Sequence, residues 1–397
     1  MLAEGVLIIM KYFRVKELFI RFGKHTTANK NFLARGDGCS AKLQFRGYQQ
    51  CAKLEFRATF SREDIMKRSV FLCTIIGVVG VFLIANPVLA AKFIGIATGS
   101  TGGTFYPVGV IFAKTFGEEL ADSGYQFSAS ASGGTAENLE MIRNHEISMA
   151  IAGAIDAGDA YSGNDKYEGK AIKNVRFVSA LFPQAIQLVY RKASGITKLA
   201  DFAGKKIGVG PPAGGGSLYM PVILKTVAGL TFDDFEPQYL GYDDSVQAMQ
   251  NRLIDACYLS AGLPTSGVSQ LYASQIEVDM VEFTDEEVAK LQEAAPYFTS
   301  IVIPKETYPK QDRDLNVFGV KASLIADAAV EDDIIYKMLE VVYLKKLASI
   351  QEQHGSLKTL TLEEALKGLS GAPLHPGAVK FYQDNGVNIP EHLLPSE

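Results

Sequence analysis

The chain has 397 residues, enough for two or three domains, and 47% of them are hydrophobic, a globular composition able to bury sizeable cores. It has no tryptophan, and its formal charge of −5 is unevenly spread: residues 1–90 hold 14 Lys and Arg against 6 Asp and Glu, leaving 25 basic and 38 acidic residues beyond them. That acidic body excludes nucleic acid as a partner, because phosphate binding needs clustered Lys and Arg.

Residues 1–65 are basic and show no sustained helical or strand period, so they are read as an untranslated or disordered extension outside the fold. Met66-Lys67-Arg68-Ser69 then opens a charge-free run from Val70 to Ala85, followed by Asn86-Pro87 and Val88-Leu89-Ala90-Ala91. A basic start, an apolar stretch and small residues before a cut together make a secretory signal over 66–90, cleaved near Ala90/Ala91. The run is shorter than the roughly 20 residues a spanning helix needs. The expected location is therefore periplasmic or otherwise extracytoplasmic. Only Cys257 follows the signal, so no internal disulfide is expected, and the His residues beyond it lack metal-site spacing.

Phe93 to Ala97 reads as a buried strand running into a Gly-rich turn, Thr98 to Thr104. Val108, Ile111, Phe112 and Phe116 then recur at helical spacing, with Pro107 in the first turn. A strand over Gln126 to Ala131, a turn Ser132-Gly133-Gly134-Thr135, a helix Ala136 to Asn144 and a strand Ile147 to Ala152 follow. The same order returns further on: strand Lys206 to Val209, turn Pro211 to Ser217, helix Leu218 to Val227 and strand Glu236 to Leu240. Tyr242-Asp243-Asp244-Ser245 opens another helix to Arg252, and Ile254 to Leu259 is the last strand of the set.

Strand, Gly turn, helix, strand, polar turn, helix, strand, given twice, is the pattern of two parallel, doubly wound α/β lobes. Ligands of such sheets sit beyond the carboxyl ends of the strands. The lobes are expected at 92–182 plus 297–397 and at 183–296, with a hinge between them. Consecutive Gly and hydroxyl residues before a helix expose backbone N–H groups at its positive end, so an anion can bind there without Lys or Arg. The rival reading of each turn is ordinary strand-to-helix chemistry.

Candidate ligand contacts are Ser100, Thr101, Gly103, Thr104 and Tyr106 from the first turn, and Ser132, Gly134, Thr135 and Asn138 from the second. Phe182, Gln184 and Gln187 lie where the chain crosses between lobes. The opposite wall offers Ala213, Gly215, Gly216 and Ser217, then Tyr242 and Asp243, then Gly262. Asp243 is either the partner of a ligand ammonium or an N-cap. No phosphate loop with its Lys, no GxSxG elbow and no nucleophile–base pair is visible, so a binding protein without cofactor or metal is expected, as a monomer. The alternative is an exported α/β enzyme acting on a small acid.

Ile96 to Gly109 (IATGSTGGTFYPVG) resembles the opening motif of the TAXI family, the TRAP-associated extracytoplasmic immunogenic solute-binding proteins. The resemblance continues through Ser132 to Leu139, Leu199 to Gly210, Ala261 to Thr265, Ile303 to Pro309 and His375 to Tyr382, spanning essentially 92–387. It implies a type II periplasmic-binding-protein fold, a small carboxylate ligand such as glutamate, glutamine or 2-oxoglutarate, and delivery to a TRAP membrane permease, commonly driven by sodium. Two segments depart from the family pattern. The turn Gly210 to Ser217 replaces a Gly-Ala-Pro-Gly-Ser-Gly-Thr-like stretch, and Gly153-Ala154 stands where a Gln-Ser-Asp-like segment is common.

Overall fold

The structure is a computed structural model, and it describes residues 92–395 apart from Ala213. The expected extension and signal segment lie outside the described residues. In chain order the fold begins with β1 (Lys92–Ala97), α1 (Phe105–Glu119), β2 (Tyr125–Ser130), α2 (Thr135–Arg143), β3 (Met149–Gly153) and α3 (Ala154–Ser162). The long strand β4 (Val175–Arg191) leads to β5 (Lys206–Gly208), α4 (Gly215–Ile223), β6 (Glu236–Gln238), α5 (Tyr242–Gln250) and β7 (Ala256–Ala261). Next come α6 (Ser266–Ala273), β8 (Val278–Met280), α7 (Asp285–Ala294), β9 (Thr299–Ile303) and β10 (Leu315–Asp327). Helices α8 (Asp332–Glu340), α9 (Leu347–Gln353) and α10 (Pro376–Asp384) close the chain. Among the described residues no helix is long and apolar enough to cross a membrane.

The strands follow the order β2-β1-β3-β10-β4-β7-β5-β6. β1 is parallel to β2 and β3, and β5 is parallel to β6 and β7. Each half therefore runs second-first-third, the doubly wound order expected from the repeated pattern. The sheet is mixed rather than all parallel, because β10 is antiparallel to β3 and β4 is antiparallel to β7. β4 and β10 also pair antiparallel with each other, from Asp327↔Val175 to Phe318↔Ile186. These two strands carry the chain across and back between the two halves of the sheet. Two 2-1-3 sheets, each completed by an antiparallel crossing strand, form the α/β fold of the type II periplasmic binding proteins.

The hydrophobic periods become two separate cores. The first gathers Ile96, Val108, Phe112 and Phe116 with Ile151, Phe177, Ile325, Ile335 and Phe381. It includes β4 up to Phe182 and β10 from Ala322 onward. The second lies on both faces of the β4-β7-β5-β6 sheet, around Phe202, Ile207, Met220, Tyr258 and Phe318 on one side and Met249, Leu259 and Val317 on the other. Phe298, Ile303, Tyr308, Leu315 and Val320 pack with this second core, although they fall after residue 297. The chain therefore recrosses inside β10, near Lys321, because β9 and the first part of β10 pair with each other beside β4.

Local chemistry accounts for several element ends. α7 starts at a capping box in which Thr284 accepts from Glu287 N–H and the Glu287 carboxylate accepts from Thr284 N–H. α10 has Pro376 at its first position, and the buried His375 accepts from Gly377 N–H, so His375 is a cap. His145 ends its turn with a φ of 57° and holds Asp327 through Nδ1 at 2.6 Å. The expected continuous helix to Val227 instead ends at Ile223 and widens into a π turn over Leu224–Ala228, one turn beyond Pro221.

A cleft between the two cores

The strand–helix turns of both halves converge at the carboxyl ends of the parallel strands around a narrow cavity of about 50 Å³. The first core contributes Gly99, Ser100, Gly103, Thr104 and Phe105 from the β1–α1 turn and Gly133, Gly134 and Thr135 from the β2–α2 turn. The second contributes Pro211, Gly214, Gly215 and Tyr219, together with Tyr242 and Ser260, and Gln184 lies on the crossing strand. Among the described residues, none that lines this space is charged.

Four helices begin at its edge. Their N-cap residues are Thr104, Gly134, Gly214 and Gly241, and none supplies a side-chain cap bond. The positive ends of four helix dipoles therefore meet around one space, an arrangement that favours an anion or the negative end of a dipole.

Direct bonds join the two cores around the cleft. One carboxylate oxygen of Asp243 accepts from Ser100 Oγ at 3.1 Å, from the Gly102 N–H at 3.0 Å and from Thr101 Oγ1. The Gly102 carbonyl in turn accepts from the Gly267 N–H at 3.1 Å and from Ser266 Oγ at 3.0 Å. Thr104 Oγ1 donates to the Gly262 carbonyl at 2.8 Å. On another side Tyr219 donates its hydroxyl to Asp156 of α3. Asp156 is buried, and desolvation pushes its carboxyl up to about 6, opposed by the Tyr219 bond. Burial also raises the Tyr219 and Tyr258 phenols, and that of Tyr242 to about 12, so all three remain hydroxyl donors at neutral pH.

Of the residues expected at the site, the structure brings Ser100, Gly103, Thr104, Gly134, Thr135, Gln184, Gly215 and Tyr242 to the cleft lining. Thr101 and Asp243 are taken by the contact between the cores instead of facing the space. Asn138 is fully buried: its amide donates to the Thr98 and Ile151 carbonyls at 2.7 and 2.8 Å, and its oxygen accepts from Ser132 Oγ at 2.7 Å. Both side chains thus hold the turn in shape. Gln187 is likewise buried, bonded to Thr265 at 2.8 Å and to the Tyr308 hydroxyl. Phe182 packs edge-on against Phe105 in the first core. Gly262 meets Thr104 by its carbonyl, Gly216 packs on the Val209 carbonyl, and Ser217 and Tyr106 lie outside the lining. Ala213 lies outside the described residues.

Sequence reading overlooks Tyr219, Tyr258 and Ser260. Tyr258 and Ser260 alternate on β7 and share a face, and Tyr219 lies one helical turn beyond Gly215. Those two periods carry the signal, but they are also the periods of an ordinary core.

Several solved structures are similar to this chain. The periplasmic aliphatic sulphonate binding protein SsuA from Escherichia coli is 15% identical over 74% of this chain and 83% of its own, with a TM-score of 0.39. The alkanesulfonate-binding protein SsuA from Xanthomonas axonopodis pv. citri, bound to MOPS, is 14% identical over 79% of this chain and 96% of its own, with a TM-score of 0.43. PhnD1 from Prochlorococcus marinus, in complex with methylphosphonate, is 11% identical over 75% and 99%, with a TM-score of 0.46. A protein-family model matches residues 96–386, taking in both cores and all four cleft turns, and the chain belongs to that family, the NMT1-like family.

Proposed function

We propose that this chain is an extracytoplasmic solute-binding receptor that captures a small carboxylate, glutamate-, glutamine- or 2-oxoglutarate-like, in the cleft and delivers it to a TRAP membrane permease. The two cores act as lobes on a hinge formed by β4 and β10. The observation that carries the reading is an uncharged cleft edged by four helix N-termini and bridged by direct bonds between the cores. A site that closes around a solute needs both features: donors for the ligand and contacts that form only when the lobes meet. The resemblance of Ile96 to Gly109 and of the later motifs to TAXI proteins supports the carboxylate and the TRAP permease.

A thermal-shift series with L-glutamate, L-glutamine and 2-oxoglutarate tests this. A solute present at 100 times its Kd is expected to add about 2.7 kcal/mol to stability. A flat response to all three acids, or chemical turnover of any of them, would overturn the reading.

The Asp243 contact sets a second expectation. Asp243→Ala removes the single acceptor of three first-lobe donors, and a bond to a charged group contributes about 1.5–3 kcal/mol. The open form should gain at least tenfold in population. Small-angle X-ray scattering of the solute-free variant should show a larger radius of gyration, and solute release should be faster. An unchanged scattering curve together with unchanged release would show that Asp243 does not hold the lobes.

A further inference from the structure

We propose that the second wall of the cleft contains a dedicated carboxylate subsite, made by the hydroxyls of Tyr258 and Ser260 with the first turn of α4, and that it selects a solute of net charge −1 or zero over a dianion. This rests on the solute-binding reading above and names the group and charge that the site takes.

Tyr258 and Ser260 project from the same face of β7; Ser260 lines the cleft, and Tyr258 lies behind the lining residue Gly215. Tyr258 is 0% exposed and Ser260 8%; the two hydroxyls lie near enough to interact with each other, and no other group bonds either of them. The Ser260 backbone is already engaged: its N–H donates to the Tyr242 hydroxyl at 2.9 Å, and its carbonyl accepts from that hydroxyl at 3.1 Å. That clamp fixes the residue and leaves its side chain to face the cleft it lines. The Tyr258 hydroxyl lies beneath Gly215, where an added Cβ would stand 3.2 Å from it. The Gly214 N–H is taken by the Pro211 carbonyl at 2.8 Å, but Gly215 and Gly216 begin α4 with no side-chain cap, so the helix end, Tyr258 and Ser260 offer donors on the same side of the cleft. Burial keeps the Tyr258 phenol protonated and therefore a donor. An unpartnered buried hydroxyl costs free energy unless something accepts from it, and a carboxylate accepts from several donors at once.

The charge preference follows from what surrounds this spot. Among the described residues, no cation lines the cleft. An acid lies nearby: Asp156 is bonded to Tyr219, whose ring lies 3.3 Å from the Cβ position of Gly215. One carboxylate is served by the donors. In glutamate the ammonium offsets a second carboxylate, whereas a dianion such as 2-oxoglutarate would bring an uncompensated charge into a buried space near an acid, and burying an unpaired charge is costly.

Calorimetry at pH 8 with L-glutamine, L-glutamate and 2-oxoglutarate tests the proposal, alongside Tyr258→Phe, Ser260→Ala and the control Tyr272→Phe. Tyr272 also carries a buried, unpartnered hydroxyl, but it stacks on Tyr308, away from the cleft. The wild type should bind glutamine or glutamate at least tenfold more tightly than 2-oxoglutarate. Tyr258→Phe and Ser260→Ala should each weaken that binding fivefold or more without lowering the melting temperature of the solute-free protein, and Tyr272→Phe should change it less than twofold. Unchanged affinity in both cleft variants would remove the subsite and leave the receptor reading standing. Tighter binding of 2-oxoglutarate would overturn the charge selection. Failure of the wild type to bind all three acids would overturn the receptor reading, and this proposal with it.

Discussion

Asp156→Asn is expected to stabilise the protein at pH 7 by about 3 kcal/mol, and the gain should vanish near pH 4. Burial in α3 raises the Asp156 carboxyl from 3.8 to about 6, and each tenfold rise in proton affinity corresponds to about 1.4 kcal/mol. The folded state therefore holds the proton more tightly than the unfolded chain does. Below pH 3.8 both forms are protonated and the group costs nothing. As pH rises from 3.8 to 6 the unfolded chain loses its proton first, so the contribution of Asp156 falls, and it stays low above pH 6. Asn is neutral throughout and keeps an oxygen to accept from Tyr219. Urea unfolding of both proteins at pH 4 and pH 7 reads the difference directly, cancelling other acids such as Asp201 and Glu364, whose carboxyls are lowered. A variant less stable than wild type at pH 7 would mean that the ionised carboxylate contributes more through its contacts than it loses by burial.

An acid kept in a position that costs stability is one of the features that no period or turn signal in a sequence reveals. The strands and turns from Phe93 to Ala152 and from Lys206 to Leu259 are legible, because each is a short apolar run ending in Gly and hydroxyl residues. Their boundaries differ from the structure by only a few residues: the strand expected at Gln126 to Ala131, for example, is Tyr125–Ser130. The long crossing strands are not legible in the same way. Val175–Arg191 has buried residues on both faces, so it lacks alternation, and nothing local marks Pro183-Gln184 as the place where the chain passes from one core to the other. The candidate site divides on the same physical line. Residues that act through backbone N–H groups in Gly turns, such as Gly103, Gly134 and Gly215, follow from local sequence. Polar side chains such as Asn138 and Gln187 look like ligand contacts until the structure shows that neighbouring chain already satisfies them. Conversely, the Tyr258 and Ser260 hydroxyls look like core until the structure shows that no group beyond each other satisfies them.

Gly216→Ala is expected to destabilise the protein by about 3 kcal/mol and to weaken solute binding more than tenfold. Gly216 reads from the sequence as one of several glycines opening a helix toward a ligand, but in the structure it is where α4 rests on the end of the strand before it. A Cβ at this position would overlap the Val209 carbonyl group and stand 3.2 Å from the Tyr258 ring. The obstruction is backbone, not the end of a flexible side chain, so it cannot turn aside. The helix must retreat from the strand, and overpacking of this kind costs roughly 1–3 kcal/mol or more. The retreat also carries the first turn of α4 away from Ser260 and Tyr242, which separates the donors facing the cleft. Gly117→Ala is the matched control. Gly117 lies inside α1, a Cβ there would meet nothing within 4 Å, and Ala is a better helix former by about 1 kcal/mol. Chemical denaturation should therefore move in opposite directions for the two substitutions, and calorimetry with the best-binding acid should be altered only by the first. If Gly216→Ala unfolds at the wild-type midpoint and binds as the wild type does, α4 does not need this close approach and the second wall of the cleft is built some other way.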